Sequence, residues 1–243
     1  MDYTEIEKYP SDEFRTPENI KLPDIRNGSF GEAGVEKFHK AIANFQLESY
    51  VPKGLVIQFD TARNLFLYAF HVYRFFPIAQ HQLYVTLERA IRECVGSDVL
   101  DEYRKNKNKN QTRGARRYSR GLKLNLTYIT EKKLIQNEDF RLWQEGKARR
   151  AEDEYREKIL EKMSSDNLSS YTWDESEIKY NKVEYNYDYL EVLLKCIPNL
   201  RNSMAHGSSF LHGGATYDYE IVSVIINKIF ERNKPEQSVN SEK

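Results

Sequence analysis

Arg201, Asn202 and His206 fall within six residues of one another, in the stretch Ile-Pro-Asn-Leu-Arg-Asn-Ser-Met-Ala-His-Gly over positions 197–207. A histidine takes or gives a proton near neutral pH. An arginine offers a forked cation to a phosphate and to the charge that grows on it in a transition state. An asparagine beside them can orient the imidazole or a ribose hydroxyl. This is the set that metal-free RNA cleavage uses, with His206 as general base, Arg201 on the phosphate and Asn202 orienting. On a regular helix, positions five apart lie roughly 140° apart around the axis. Arg201 and His206 therefore share a face only if the helix end tightens or opens, and Asn202 lies between them in angle. The same two residues near a helix C-terminus can also do no chemistry, capping carbonyls and complementing the helix dipole.

The elements that must carry this set are readable from apolar spacing. Tyr189, Leu190, Leu193, Leu194 and Ile197 recur at threes and fours, which predicts a helix with a buried face, and Gly207 offers its C-terminal stop, with His206 in the last turn. Asp60 or Thr61 is a candidate N-cap for a central, mostly buried helix over 62–76. Pro77 should kink or split that helix, which resumes through Ala79, Leu83, Leu87, Ala90, Ile91 and Cys94 until Gly96. Glu88 has two readings, a surface pair with Arg92 four residues on or a place facing the reactive groove.

Leu200-Arg201-Asn202, followed after two residues by Ala205-His206-Gly207, resembles the arginine–histidine signature of the HEPN superfamily. Ala62-Arg63-Asn64-Leu65, the run Leu87-Glu88-Arg89-Ala90-Ile91-Arg92 and the run Ile225-Ile226-Asn227-Lys228-Ile229-Phe230 extend the likeness over about residues 60–232. The resemblance implies an all-α antiparallel helical bundle and a metal-independent endoribonuclease without a cofactor. It further implies a homodimer with two motifs facing one groove, and service as a toxin or phage-defence effector with an antitoxin or defence-complex partner. Its alternative is a HEPN-like module that binds RNA or protein and does not cleave.

Composition neither forces nor forbids this. Lys+Arg and Asp+Glu are both 37, so any attraction to RNA must come from local asymmetry. Such an asymmetry stands at 104–120, where eight of 17 residues are Lys or Arg and none is acidic. Lys105, Lys107, Lys109, Arg113, Arg116 and Arg117 are its candidate phosphate contacts. The Lys-Asn alternation has no hydrophobic period and reads as a loop, and loop solvation explains such a run as readily.

The rest of the chain frames the site. Residues 1–58 read as an arm rich in Pro, Gly and acids that leads to a short helix at 36–45 and a turn at 50–57. The helical domain is expected over 59–232, with a polar disordered tail at 233–243. Residues 118–135 carry a helical pattern, and Phe140 and Trp143 can close a core edge. In 145–162, 12 of 18 residues are charged, which predicts a solvated helical extension with one thin apolar stripe. A polar loop at 164–182 with tyrosines around it follows, then the motif helix. His212, in a glycine-containing loop after the motif, is a possible second proton carrier, and Asp218 should cap a last helix with Val222, Ile225, Ile226, Ile229 and Phe230 inward. His71 and His81 sit among aromatics and read as packed side chains. Cys94 and Cys196 read as buried thiols of a reducing compartment, and no metal-ligand spacing is present. The acidic start and the absence of a long apolar run point to a cytoplasmic protein that does not cross a membrane.

Overall fold

A computed structural model of the chain describes residues 12–30, 34–112, 117–205 and 216–233. Among the described residues the protein is all-helical, with eight α-helices and no strand. They group into two compact units, one drawn from residues up to Ile135 and from Leu193 onward, the other Gln136–Val192.

In the first unit, α1 (Gly34–Ile42) buries Phe38 and Ile42, one turn apart. Helix α2 (Lys53–Tyr68) buries Leu55, Phe59, Ala62 and Phe66, a stripe at fours and threes. Helix α3 (Phe75–Val95) follows and packs back against α2. The expected long kinked central helix is thus a helical hairpin, turning through residues 69–74 before the proline. Pro77 stands in the first turn of α3, where a missing N–H leaves no intrahelical bond unmade. Nor do Asp60 and Thr61 cap a helix. The chain becomes helical at Lys53, directly after Pro52, whose φ of −52° starts the turn, so the expected turn at 50–57 is half helix. Inside α2, Thr61 Oγ1 donates to the Ile57 carbonyl at 2.8 Å and Asp60 pairs with Arg63 at 2.8 Å.

Residues 12–30 of the arm are more ordered than their composition suggests, because the hairpin turn leaves carbonyls and amides that need partners. Asn27 Nδ2 donates to the Ala69 and Phe70 carbonyls at 3.0 and 2.9 Å, and the Asp24 amide donates to Phe70 O at 2.9 Å. Residues Ile25–Phe30 form a short 3-10 helix there. Asp24, 1% exposed, accepts from the Tyr73 amide and from the Arg26 side chain. Burial pushes its carboxyl up, but the hydrogen bonds from Arg26 and the Tyr73 amide outweigh this and hold it at about 2. Asp12 bridges Arg26 and Arg74 at 2.7 and 2.8 Å.

Helix α8 (Thr216–Arg232) closes this core with Tyr219, Val222, Ile225, Ile226 and Ile229, all buried, while Phe230 is only half-buried. The Tyr219 ring meets Phe66 edge-on at 5.5 Å and its hydroxyl donates to the Ala62 carbonyl at 2.7 Å. Asp218 lies in the first turn of α8 and accepts from Gln80. His71 and His81 are half-buried, and Phe70 meets the His71 ring edge-on at 5.1 Å. Cys94 is half-buried, with its thiol pushed up by burial, but Cys196 is exposed, contrary to expectation. Two shorter helices complete the unit. Gly96, at φ 93°, breaks the chain between α3 and α4 (Ser97–Lys109), and Gly121, at φ 133°, opens α5 (Leu122–Glu131).

In the second unit the charged helix is present as α6 (Arg141–Ser165), with only Trp143, Ala151 and Tyr155 buried. Ile178 and Val183, from the segment that follows, cover Ala151, Tyr155 and Ile159. Trp143 Nε1 donates to the Tyr187 carbonyl at 2.8 Å and the ring meets Tyr185 edge-on at 5.4 Å, so these tyrosines anchor the loop. No helix among the described residues is long and apolar enough to cross a membrane.

A basic cleft around Arg201

Helix α7 (Tyr189–Ala205) delivers the motif. Tyr189, Leu190, Leu193 and Ile197 are buried as the spacing predicts, while Leu194 is half-buried. Pro198 lies inside α7 and is buried, removing one backbone donor just before the motif. Arg201 then points into a cleft of about 580 Å³. One wall is Glu88 of α3; another is Pro198, Asn199, Arg201 and Asn202 of α7; the last is the chain from Arg117 into α5, including Arg120 and Lys123.

Arg201 is oriented but reachable. Its Nη2 donates to Glu88 Oε2 at 3.0 Å and its Nη1 to Asn202 Oδ1 at 3.5 Å, and Nε is buried without a partner among the described residues. The Arg201 side chain is 31% exposed and that of Glu88 14%, so the pair borders solvent instead of lying in the core. Glu88 therefore faces the cleft and does not pair with Arg92. Among the described residues four cations, Arg117, Arg120, Lys123 and Arg201, border this space against one carboxylate, Glu88. That is a local excess of basic residues on a chain of zero formal net charge.

The basic wall is fastened at both ends. Asn108 donates to the Tyr118 carbonyl at 3.1 Å and accepts from the Tyr118 amide at 2.7 Å, a two-way clamp on the backbone. Arg120 Nε donates to Asp101 at 2.8 Å, and this guanidinium holds the Asp101 carboxyl below the usual carboxylate range.

The predicted basic residues divide. Arg117 borders the cleft. Lys105, Lys107 and Lys109 do not, and they stand on α4, so the expected loop is helical to Lys109. Lys107 is paired with Glu131 at 2.6 Å and lies over the Tyr103 ring. Arg113, Arg116, His206 and His212 lie outside the described residues, which on α7 end at Ala205, immediately before His206. Arg201, Asn202 and Glu88 are brought together. Lys123 and Asn199 were not foreseen. The only hint for Lys123 was a charged residue between two leucines that are both buried.

Among the described residues no group of three or more His, Cys, Asp or Glu could hold a metal ion. The chain matches no protein-family model, no curated protein and no solved structure.

Proposed function

We propose that the protein is a metal-independent endoribonuclease of the HEPN type. The observation that carries this reading is the place of Arg201, held by Glu88 at the edge of an open cleft whose other charged residues, among those described, are cations. A phosphate drawn there meets a preorganised fork that can take the charge added in a pentacoordinate transition state. His206, next along from Ala205, takes the proton of a ribose 2′-hydroxyl. The 2′-oxygen attacks the adjacent phosphorus and the bond to the 5′-oxygen breaks. That oxygen leaves as a hydroxyl, taking its proton from the His206 imidazolium or from water, and a 2′,3′-cyclic phosphate remains. Asn202 orients the arginine or the ribose. By the same resemblance the active species is a homodimer, and its role is that of a toxin or phage-defence effector with a neutralising or defence partner.

Arg201→Ala and His206→Ala should each lower RNA cleavage by about 100-fold or more, the size of effect seen when one transition-state donor is removed. Their melting temperatures should stay near that of the unsubstituted protein, and for Arg201 this follows from a side chain that borders solvent. Cleavage that persists in either variant removes the mechanism. A second reading, a module that binds RNA without cutting it, is favoured by the ion pair itself, because Glu88 already neutralises part of the Arg201 charge. Salt-sensitive RNA binding without cleavage would decide for it.

A further inference from the structure

Beside the cleft lies a second recess of about 220 Å³, bordered by Glu88, Arg92, Ser97, Leu100, Asp101, Arg120, Gly121, Leu124 and Asn125. Glu88, Arg120, Gly121 and Leu124 border both spaces, so the recess adjoins the cleft. Three observations distinguish it. Among the described residues its charges balance, with Arg92 and Arg120 against Glu88 and Asp101, whereas the cleft is bordered by four cations and one carboxylate. Two of its walls are aliphatic, Leu100 and Leu124, both buried. And Asn125, only 3% exposed, has its Nδ2 buried with no hydrogen-bond partner among the described residues. A buried amide donor left unmet is rare in folded proteins.

The geometry points to a nucleobase-reading subsite, in which one unpaired base of the RNA leaves the strand and enters this recess while its phosphates stay in the cleft. A charge-balanced, partly aliphatic space suits a neutral planar ring and does not suit a phosphate. Its volume is below the roughly 300–1,000 Å³ of drug-sized pockets, which fits one ring system and little more. A small rotation that turns its buried amide toward the opening would let Asn125 Nδ2 donate to a ring nitrogen or carbonyl of the base. Glu88 and Asp101 supply acceptors for its N–H groups, and the leucines contact its faces. RNA proteins read unpaired bases by this combination of edge contacts and flanking surface. The inference rests on the cleft being an RNA site. It adds that Asn125 is a specificity residue, which makes single-stranded RNA the substrate class.

The test is equilibrium binding, by fluorescence anisotropy, of four five-nucleotide RNAs that differ only in their central base. Full-length protein should discriminate among the bases by roughly tenfold, as one good edge contact does. Asn125→Leu, close in shape but without the donor, should compress that spread to within about twofold. Because Asn125 is buried, a second variant guards against misfolding. Ser97→Trp places bulk at the exposed start of α4 and should weaken binding of the preferred RNA with no change in melting temperature. Equal affinity for all four RNAs, or discrimination unchanged in both variants, leaves only a water-filled recess and overturns the proposal. The outcome is independent of catalysis. Base discrimination lost in Asn125→Leu, with no RNA ever cut, would keep the subsite and remove the nuclease. Cleavage dependent on Arg201 and His206 without base discrimination would do the reverse.

Discussion

Glu88 Oε2 lies 3.0 Å from Arg201, and this one ion pair sets both how much charge the cleft offers and where its guanidinium points. The two roles separate on substitution. Glu88→Gln should raise RNA affinity about threefold to tenfold at low salt by freeing a cation. It should also slow single-turnover cleavage about tenfold, because the guanidinium loses its fixed aim. Titrations beside single-turnover rates measure the two, and a parallel fall in both would make Glu88 a structural residue only. The pair also marks what local spacing can and cannot tell. Arg201, Asn202 and the buried face behind them were legible in the sequence. The partner of Arg201 was legible only as one of two readings, since Glu88 lies 113 residues earlier and spacing alone does not choose between the groove and Arg92, four positions on. Asn125 was invisible, because only a fold can leave a buried amide without a partner.

At the scale of elements, helices were legible wherever apolar residues recur at threes and fours, as in α2, α3, α7 and α8. The Lys-Asn run shows where that signal fails. It has no apolar period, yet it is helical, because Leu100 is buried in the first turns and Lys107 and Lys109 complement the carbonyl end. The long helix expected over 62–76 failed for a different reason. Continuous apolar character cannot mark a turn that is closed by side chains of a distant arm, here Asn27 and Asp24. The clamp from α4 onto the basic wall yields a prediction at this scale. Asn108→Ala removes both bonds to Tyr118, which should cost about 1–2 kcal/mol of stability. It should also weaken RNA binding, although Asn108 does not border the cleft. A denaturant titration and a binding curve check this. Unchanged affinity would mean that the wall needs no fastening.

Taken whole, the molecule carries no net charge, so RNA cannot be gathered by a general field. The cleft and the recess both lie in the first unit, and the charged helix α6 lies in the second. The all-helical class was legible because both units are built from helical apolar stripes. The division at Gln136–Val192 was not, since α6 continues the helical pattern with a thinner stripe. The central claim is that one arginine and one histidine cut RNA through its own 2′-hydroxyl. The most direct measurement is the terminal chemistry of fragments from an RNA incubated with the protein in excess chelator. A 2′,3′-cyclic phosphate on one fragment and a 5′-hydroxyl on the other is the predicted result. Ends bearing a 5′-phosphate and a 3′-hydroxyl, or cleavage that ceases with the chelator, would contradict it.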